Sequence, residues 1–191
     1  GLRWRTRMQY VALPKGKRGL RAHQSHRVSD IGDCLIARPD AREPGSGEVV
    51  ETVVVDDRAH RFRVAGDGFW QVHPGAPATL VTEVLDALQP MPGETVWDLY
   101  GGVGLFSAFL ADRVGSAGQV ICVEQDRVAI ANARQNLDGQ SQARVVGGPT
   151  KQVLSRGLAA PDLVVLDPPR SGAGREVVEL IAAAGPRSIA Y

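Results

Sequence analysis

The spacing of hydrophobic residues after position 94 alternates between two patterns. Short apolar runs rich in Val, Ile and Leu fall at 95–99, 119–124, 143–147, 162–167 and from 187 onward. Segments with helical periodicity separate them near 105–114, 127–137, 151–156 and 175–184. Strict alternation of strand and helix predicts a parallel sheet covered by helices on both faces, which is an α/β, doubly wound, Rossmann-like fold.

An amphipathic helix is expected just before this alternation. Its apolar stripe recurs at i, i+4 and i+8 and consists of Leu80, Val81, Val84, Leu85 and Leu88. Pro77 is tolerable there because it falls in the first turn.

The N-terminal third has the shorter period of β-strands. Apolar Trp4, Met8 and Tyr10 occupy even positions of 3–13, which predicts a strand with one solvent-exposed face. The turn residues at 14–19 would then allow 20–26 to return as the second strand of a hairpin. Residues 38–47 are polar with Pro and Gly, so they predict an exposed loop. Further strands are expected at 51–55 and 61–64, joined by a tight turn at 57–60. We therefore expect a smaller β-rich region at 1–66 and a larger domain at 67–191.

Composition and charge narrow the possible settings of the chain. With 191 residues, 43% of them hydrophobic, it can bury one full domain plus an appendage. It has neither an apolar run of about 20 residues nor an N-terminal signal core, so we expect a cytoplasmic protein without membrane contact. We also expect a monomer. The net charge is +1, but 3–27 contains eight Lys or Arg and no acid, so this stretch could hold phosphates.

Cysteine and histidine give no sign of a metal or of a disulfide framework. Cys34 and Cys122 are too few for such a framework, and the apolar run around Cys122 favours an inert core thiol. The four histidines have no clustered cysteine or carboxylate partners, so no metal is expected.

Candidate binding residues follow the ends of the predicted strands, which is where open α/β sheets bind ligands. Residues 98–104, Asp-Leu-Tyr-Gly-Gly-Val-Gly, which we call the glycine turn, predict a sharp turn that lets the backbone approach a ligand. Glu124 follows the second strand, and its carboxylate can accept hydrogen bonds from both ribose hydroxyls, in NAD enzymes as well as in methyltransferases. Residues 167–170, Asp-Pro-Pro-Arg, predict a rigid strand exit that holds Asp167 at the reacting centre.

Taken together, these residues resemble the family of RNA 5-methyluridine methyltransferases. The resemblance rests on 98–107, on Glu124, on Asn132 and Asn136 in the following helix, and on 167–170. It extends to 69–73, Phe-Trp-Gln-Val-His, which is similar to a Phe-x-Gln segment of that family.

The resemblance implies the fold of S-adenosylmethionine-dependent methyltransferases and an activity on C5 of uridine in rRNA or tRNA. It also implies contacts to S-adenosylmethionine from Gln71, Tyr100, Glu124 and Asp167, alongside Asp98, Gly102 and Gly104 of the glycine turn. RNA contact is then expected from Arg3, Arg5, Arg7, Lys15, Lys17, Arg18 and Arg170. Trp4 and Tyr10 could stack on bases or belong to the core.

The chain departs from the family pattern at several positions. Gly101 stands where the family has a small residue such as Cys, which we expect to be harmless, and Gly148-Pro149 replaces a Gly-Asp pair that contacts the adenine. Cys34 resembles the last of four cysteines that hold an iron–sulfur cluster in some members, but the other three would precede Gly1. We therefore expect no cluster in this chain and a buried structural Cys34.

The catalytic groups of C5 methylation are not found among these residues. The reaction requires a thiolate that adds at C6 and a base that removes the C5 proton, and the family's nucleophilic Cys would follow Tyr191. We therefore expect the chain as given to have no methyl-transfer activity.

Three other interpretations remain open. The chain could belong to a methyltransferase that acts on another RNA atom or on protein. It could be a non-catalytic RNA-binding module, which Gly148-Pro149 makes conceivable. A dinucleotide-dependent dehydrogenase ranks last, since Asp-Pro-Pro has no role in hydride transfer.

Overall fold

The computed structural model describes residues 1–23, 25–45 and 47–191. Within these ranges, the strands before the first helix are β1 (Arg5–Arg7), β2 (Val11–Ala12), β3 (Arg18–Arg21), β4 (Val28–Asp30), β5 (Ala37–Arg42), β6 (Glu48–Val55) and β7 (Arg58–Ala65). The elements that follow are α1 (Ala76–Leu88), β8 (Thr95–Leu99), α2 (Leu105–Val114), β9 (Gln119–Glu124), α3 (Arg127–Asn136), β10 (Ala143–Gly147), α4 (Thr150–Ser155), β11 (Leu163–Leu166), α5 (Arg175–Ala184) and β12 (Ser188–Ala190).

A five-stranded parallel sheet forms the centre of the molecule and confirms the predicted doubly wound fold. Its strand order is β10-β9-β8-β11-β12. The chain moves outward in one direction from β8 to β10 and in the other from β11 to β12. The strand order therefore reverses between β8 and β11, which is where such sheets leave a crevice for a ligand.

The three central strands β9, β8 and β11 are buried on both faces, which explains their nearly continuous apolar sequences. Because side chains alternate between faces, Val96 and Val120 pack on the side of α1, α2 and α3, whereas Trp97 and Ile121 pack on the side of α4 and α5. None of the described helices is long and apolar enough to cross a membrane.

The antiparallel hairpin β6–β7 adds to the first of these two core layers. Its inward side chains Val53, Val55, Phe62 and Val64 share one buried cluster with the helices that cover the sheet. The predicted turn at 57–60 is wrong by about two residues, because Asp56 and Asp57 form the turn and β7 begins directly afterwards. Their φ angles of 48° and 60° are those of a tight two-residue hairpin turn, which aspartate tolerates.

Two asparagines of α3 hold the free edge of β7. The Asn136 side chain accepts a hydrogen bond from Arg63 N at 2.7 Å and donates to Arg63 O at 3.1 Å and Val103 O at 2.9 Å. Asn132 accepts a longer bond, 3.3 Å, from Ala65 N. The amides thus replace part of a missing neighbouring strand and attach the hairpin to the glycine turn.

The N-terminal strands differ from the expected hairpin in two respects. Residues 3–13 form two short strands, and β2 pairs with β3, so the hairpin returns at 18–21 instead of 20–26. Residues 38–47 are not wholly a loop, because β5 occupies their first part and pairs in parallel with β1. Pro39 lies within β5, which is tolerable because a two-stranded sheet leaves the outer edge of each strand unpaired.

Candidate cofactor site

A cavity of about 550 Å³ lies at the carboxyl ends of the central strands, beside the reversal of strand order. Gln71, Tyr100, Gly102, Glu124 and Asp167 all line it, although they come from separate parts of the chain. The structure therefore brings together most of the residues that the sequence singled out for a cofactor.

The glycine turn forms the floor of this cavity. Gly102 and Gly104 have φ angles of 56° and 88°, which the chain needs in order to turn from β8 into α2. Tyr100 also has a positive φ, 62°, which is a strained conformation for a residue with a side chain. Its hydroxyl donates to Ala173 O at 3.3 Å, so the ring lies along the cavity wall.

Gly101 is closely surrounded by its neighbours. A Cβ atom at this position would lie 2.5 Å from Cys122 Sγ and 3.1 Å from Asp98 Oδ2. Because Cys122 already fills this space, glycine fits here, and the expectation that Gly101 is a harmless departure from the family pattern stays a prediction.

Glu124 is held by the backbone around it. Oε1 accepts hydrogen bonds from Gln125 N at 2.7 Å and Asp126 N at 2.8 Å, and Oε2 accepts one from Gly102 N at 2.8 Å. Because a carboxylate offers about four acceptor positions, Oε2 keeps capacity for a ligand hydroxyl. The carboxylate is thus fixed in place and faces the cavity.

Asp98 does not line the cavity, which corrects its predicted role as a direct ligand. It lies within β8 and points toward α2, where Oδ2 accepts hydrogen bonds from Ser107 N at 3.0 Å and Ser107 Oγ at 2.6 Å. Its Oδ1 is buried without a partner in the described structure. Burial raises the pKa of Asp98 to about 6, and the charges of Glu124 and Asp167 contribute to the rise. Gly104 does not line the cavity either; it begins α2.

A second cavity, of about 740 Å³, adjoins the first. The two share Gln71, Phe106 and Asp167, and the second is otherwise lined mainly by α1 and by the end of β12, including Leu80, Val84, Ile189 and Tyr191. Asp167 therefore faces two adjoining spaces.

The charge of the first cavity is one-sided. Its described lining contains four carboxylates, from Asp67, Glu124, Asp126 and Asp167, and no Lys, Arg or His. Asp67 and Asp126 were not among the predicted binding residues, because no local sequence pattern marks Asp67 and Asp126 caps α3, where its side chain accepts from Val128 N and Ala129 N. Gly148 and Pro149 are not among the lining residues.

Residues 67–71 also line this cavity, and we call the segment 66–73 that contains them the roof segment. Trp70 is buried against Phe62, with ring centroids 5.6 Å apart, whereas Phe69 is 72% exposed at the cavity rim. Gln71 is half-buried and lines both the first and the second cavity.

The residues expected to contact RNA have different surroundings. Three exposed cations have an acidic partner, in the pairs Arg3–Asp33, Lys17–Asp30 and Arg18–Glu43 at 2.5, 2.5 and 3.6 Å. Arg7 is half-buried and donates to Gly68 O in the roof segment, and Arg5 Nε donates to Arg7 O at 3.0 Å. Lys15 and Arg170 are exposed.

The aromatic residues of this region also make contacts within the protein. Trp4 packs on His73 with ring centroids 5.6 Å apart, and the Arg18 guanidinium lies 5.3 Å from the centre of the Tyr10 ring. Both rings are half-buried, so they are neither core residues nor freely exposed.

The two cysteines occupy different environments. Cys122 is fully buried, and burial raises the pKa of its thiol well above the usual range, which confirms the predicted inert core thiol. Cys34 is half-exposed and lines a separate polar cavity, so the expectation of a buried Cys34 is wrong.

Comparisons with known proteins identify relatives and the fold. No protein-family model matches the chain. A protein of Streptomyces avermitilis named an uncharacterized RNA methyltransferase is 36% identical over 98% of this chain and 57% of its own length. A Streptomyces coelicolor protein of the same description is 37% identical over 98% of this chain and 54% of its length. The chain thus spans a little over half the length of these relatives.

Solved structures share the fold. A 16S rRNA N2 methyltransferase of Thermus thermophilus, solved with AdoMet and guanosine, superposes with a TM-score of 0.59 at 22% identity, covering 87% of this chain and 46% of that one. A precorrin 8w decarboxylase of Methanobacterium thermoautotrophicum gives a TM-score of 0.54 at 16% identity, covering 64% of this chain and 63% of that one. The chain therefore has the Rossmann-like fold of S-adenosylmethionine-dependent methyltransferases.

Proposed function

We propose that this chain is the S-adenosylmethionine-binding part of an RNA methyltransferase that acts on C5 of uridine. The RNA methyltransferase activity is supported by the Streptomyces relatives, which match nearly the whole chain. The choice of uridine C5 is finer, and it is supported by the Asp-Pro-Pro-Arg sequence at 167–170.

The observation that carries the cofactor assignment is the negative charge of the cavity at the strand reversal. S-adenosylmethionine carries a sulfonium, an ammonium and one carboxylate, so its net charge is positive and four carboxylates attract it. A dinucleotide brings a pyrophosphate, which the same carboxylates would repel. The volume of about 550 Å³ lies within the usual range of small-molecule sites, about 300–1,000 Å³.

Each lining residue has a distinct task in this proposal. Glu124 accepts from the ribose hydroxyls, since its position is fixed by three backbone donors. The backbone of Gly102 allows close approach of the nucleoside. Gln71 and Asp167 lie between the two cavities and orient the amino-acid end and the methyl donor. The cofactor supplies an electrophilic methyl group.

Methylation at C5 of uridine also needs a thiolate from outside this chain. A thiolate adds at C6 and makes C5 nucleophilic, C5 then takes the methyl group from the sulfonium, and a base removes the C5 proton while the C6–S bond breaks and the thiolate leaves. Cys122 is buried and Cys34 lines a different cavity, so neither reaches the described site. We propose that the nucleophilic Cys follows Tyr191 in the parent protein, and that the chain alone binds the cofactor without turnover.

RNA is the proposed partner of the basic N-terminal region. The pairs formed by Arg3, Lys17 and Arg18 are exposed, and such pairs contribute little free energy, so a phosphate can replace the acidic partner. Arg170 follows the cavity residue Pro169 and is exposed, which places a cation near the substrate side.

Calorimetry with S-adenosylhomocysteine tests the cofactor site. We expect binding to the 191-residue chain, and Glu124→Gln should weaken it about tenfold or more because a charge-assisted hydrogen bond is lost. Glu179→Gln is the matched control, since Glu179 is an exposed residue of α5 outside the cavity. Absence of binding by the wild type would instead support a non-catalytic RNA-binding module.

A methyl-transfer assay tests the reaction. Radiolabelled S-adenosylmethionine, RNA lacking the modification and the full-length protein should give labelled 5-methyluridine after nuclease digestion, whereas the 191-residue chain should give no label. Label in another nucleoside would assign a different RNA atom, and label in protein would contradict an RNA substrate.

A further inference from the structure

The roof segment depends on other parts of the chain for its position. Its described residues form neither helix nor strand, although five of them, residues 67–71, line the cofactor cavity. The backbone bonds at its start link Gly66 N to Gly47 O and Gly68 N to Ala65 O, both at 2.8 Å. The side chain of Trp70 anchors its centre in the core.

Strand β1 supplies contacts at both ends of the cavity-lining part. The Arg7 guanidinium donates through Nη1 to Gly68 O. Thr6 donates twice to Val72 O, from its backbone N at 2.8 Å and from Oγ1 at 2.9 Å. Phe69, Trp70 and Gln71 lie between these two carbonyls, so their path is held from the β1 side.

Arg7 differs from the exposed cations around it. It is half-buried, and burial together with the neighbouring Arg42 and Arg5 lowers the pKa of its guanidinium. Its recorded hydrogen bond goes to a backbone carbonyl, whereas Arg3 and Lys17 face carboxylates at the surface. A guanidinium in this position strengthens the bond that it donates to the roof segment.

We propose that Arg7 is a positioning residue of the cofactor site, which together with Thr6 holds the roof segment over the cavity. Neither residue lines the cavity, so the effect on the cofactor is transmitted through Gly68 and Val72. This inference rests on the proposed cofactor, and it assigns Arg7 a task inside the protein in place of a phosphate contact.

Calorimetry with S-adenosylhomocysteine on the 191-residue chain tests this role. Arg7→Met should weaken binding about tenfold, since a charge-assisted bond to the cavity wall is lost, and Arg7→Lys should restore part of the affinity. Thr6→Val should weaken binding about threefold, and Thr6→Ser should bind like the wild type because it keeps the hydroxyl donor. Arg38→Met is the matched control, since Arg38 lies on β5 and pairs with Asp40 at 2.9 Å without contact to the roof segment.

Hydrogen exchange at 68–72 provides a readout that does not require the cofactor. Exchange should accelerate in Arg7→Met and Thr6→Val but not in Arg38→Met. Unchanged affinity and unchanged exchange in both test variants would overturn the proposal, as would a lower melting temperature with no change in affinity. If the wild type does not bind S-adenosylhomocysteine, the proposed cofactor is wrong, and the exchange experiment alone decides whether β1 holds the roof segment.

Discussion

Replacing Asp98 by Asn should change how the stability of the protein depends on pH. The carboxyl group is fully buried, its Oδ1 has no partner in the described structure, and Glu124 and Asp167 add negative charge nearby. Burial therefore favours the protonated form in the folded state and raises the pKa of Asp98 from 3.8 to about 6.

The direction and size of the effect follow from this difference. Below about pH 3 the carboxyl is protonated in both states, so its contribution to stability is fully present. As the pH rises, the unfolded chain releases the proton first, and the folded state loses stability until the pH passes about 6. A rise of roughly 2 pKa units corresponds to about 3 kcal/mol of unfolding free energy lost between about pH 3 and pH 7.

Urea denaturation of the wild type and Asp98→Asn at half-unit pH steps measures this quantity. Asn cannot titrate, so the difference in unfolding free energy between the two proteins should shift by about 3 kcal/mol in favour of the variant from about pH 3 to pH 7. Carboxylates far from Asp98 titrate alike in both proteins and cancel in the difference, whereas Glu124 and Asp167 interact with Asp98 and add a smaller change. Asp86→Asn, an exposed site on α1, should show no such shift. Parallel curves for wild type and Asp98→Asn would refute the reasoning.

Three further substitutions test the packing described above by denaturant unfolding. Asn136→Ala should lower the free energy of unfolding by about 2 kcal/mol, since it removes three hydrogen bonds between α3 and the backbone of β7 and the glycine turn. A decrease no larger than that caused by Asn132→Ala would contradict this. Gly101→Ala should lower the free energy of unfolding by about 1–3 kcal/mol, because the new Cβ atom meets the Cys122 thiol. Adding Cys122→Ala should recover part of this loss, whereas additive losses in the double variant would show that the thiol does not obstruct the new methyl group. Arg187→Ala should lower the free energy of unfolding by about 2 kcal/mol or more, because the nearly buried carboxylate of Glu94 loses its bidentate partner. An unchanged denaturation midpoint would argue against a stabilising role of this pair.

The sheet could be predicted from sequence because its three central strands are buried on both faces. Runs such as Val120–Val123 are then apolar throughout, and the strands β8, β9 and β10 begin and end where expected. Glu124 and Asp167 were recognisable for a related reason, since each follows such a run and the carboxyl ends of parallel strands meet at one edge.

Features that depend on distant contacts could not be found in the same way. β5 exists because it pairs with β1, more than thirty residues earlier, and its own polar composition indicates a loop. Asp67 joins the cavity only through the path of the roof segment, for which no local pattern exists. Asp98 was assigned to the cavity because it belongs to the glycine-turn sequence, but it lies inside β8, so its side chain points to a covered face of the sheet.

The left-handed conformation of Tyr100 implies a conflict between backbone stability and the shape of the cavity at one position. A side chain at φ 62° costs about 1 kcal/mol relative to glycine, so Tyr100→Gly would relax the backbone of the turn. The same change would remove the ring that borders the cavity and its contact with Ala173. Glycine would therefore favour the stability of the turn, whereas tyrosine keeps the wall of the cavity at the expense of backbone strain.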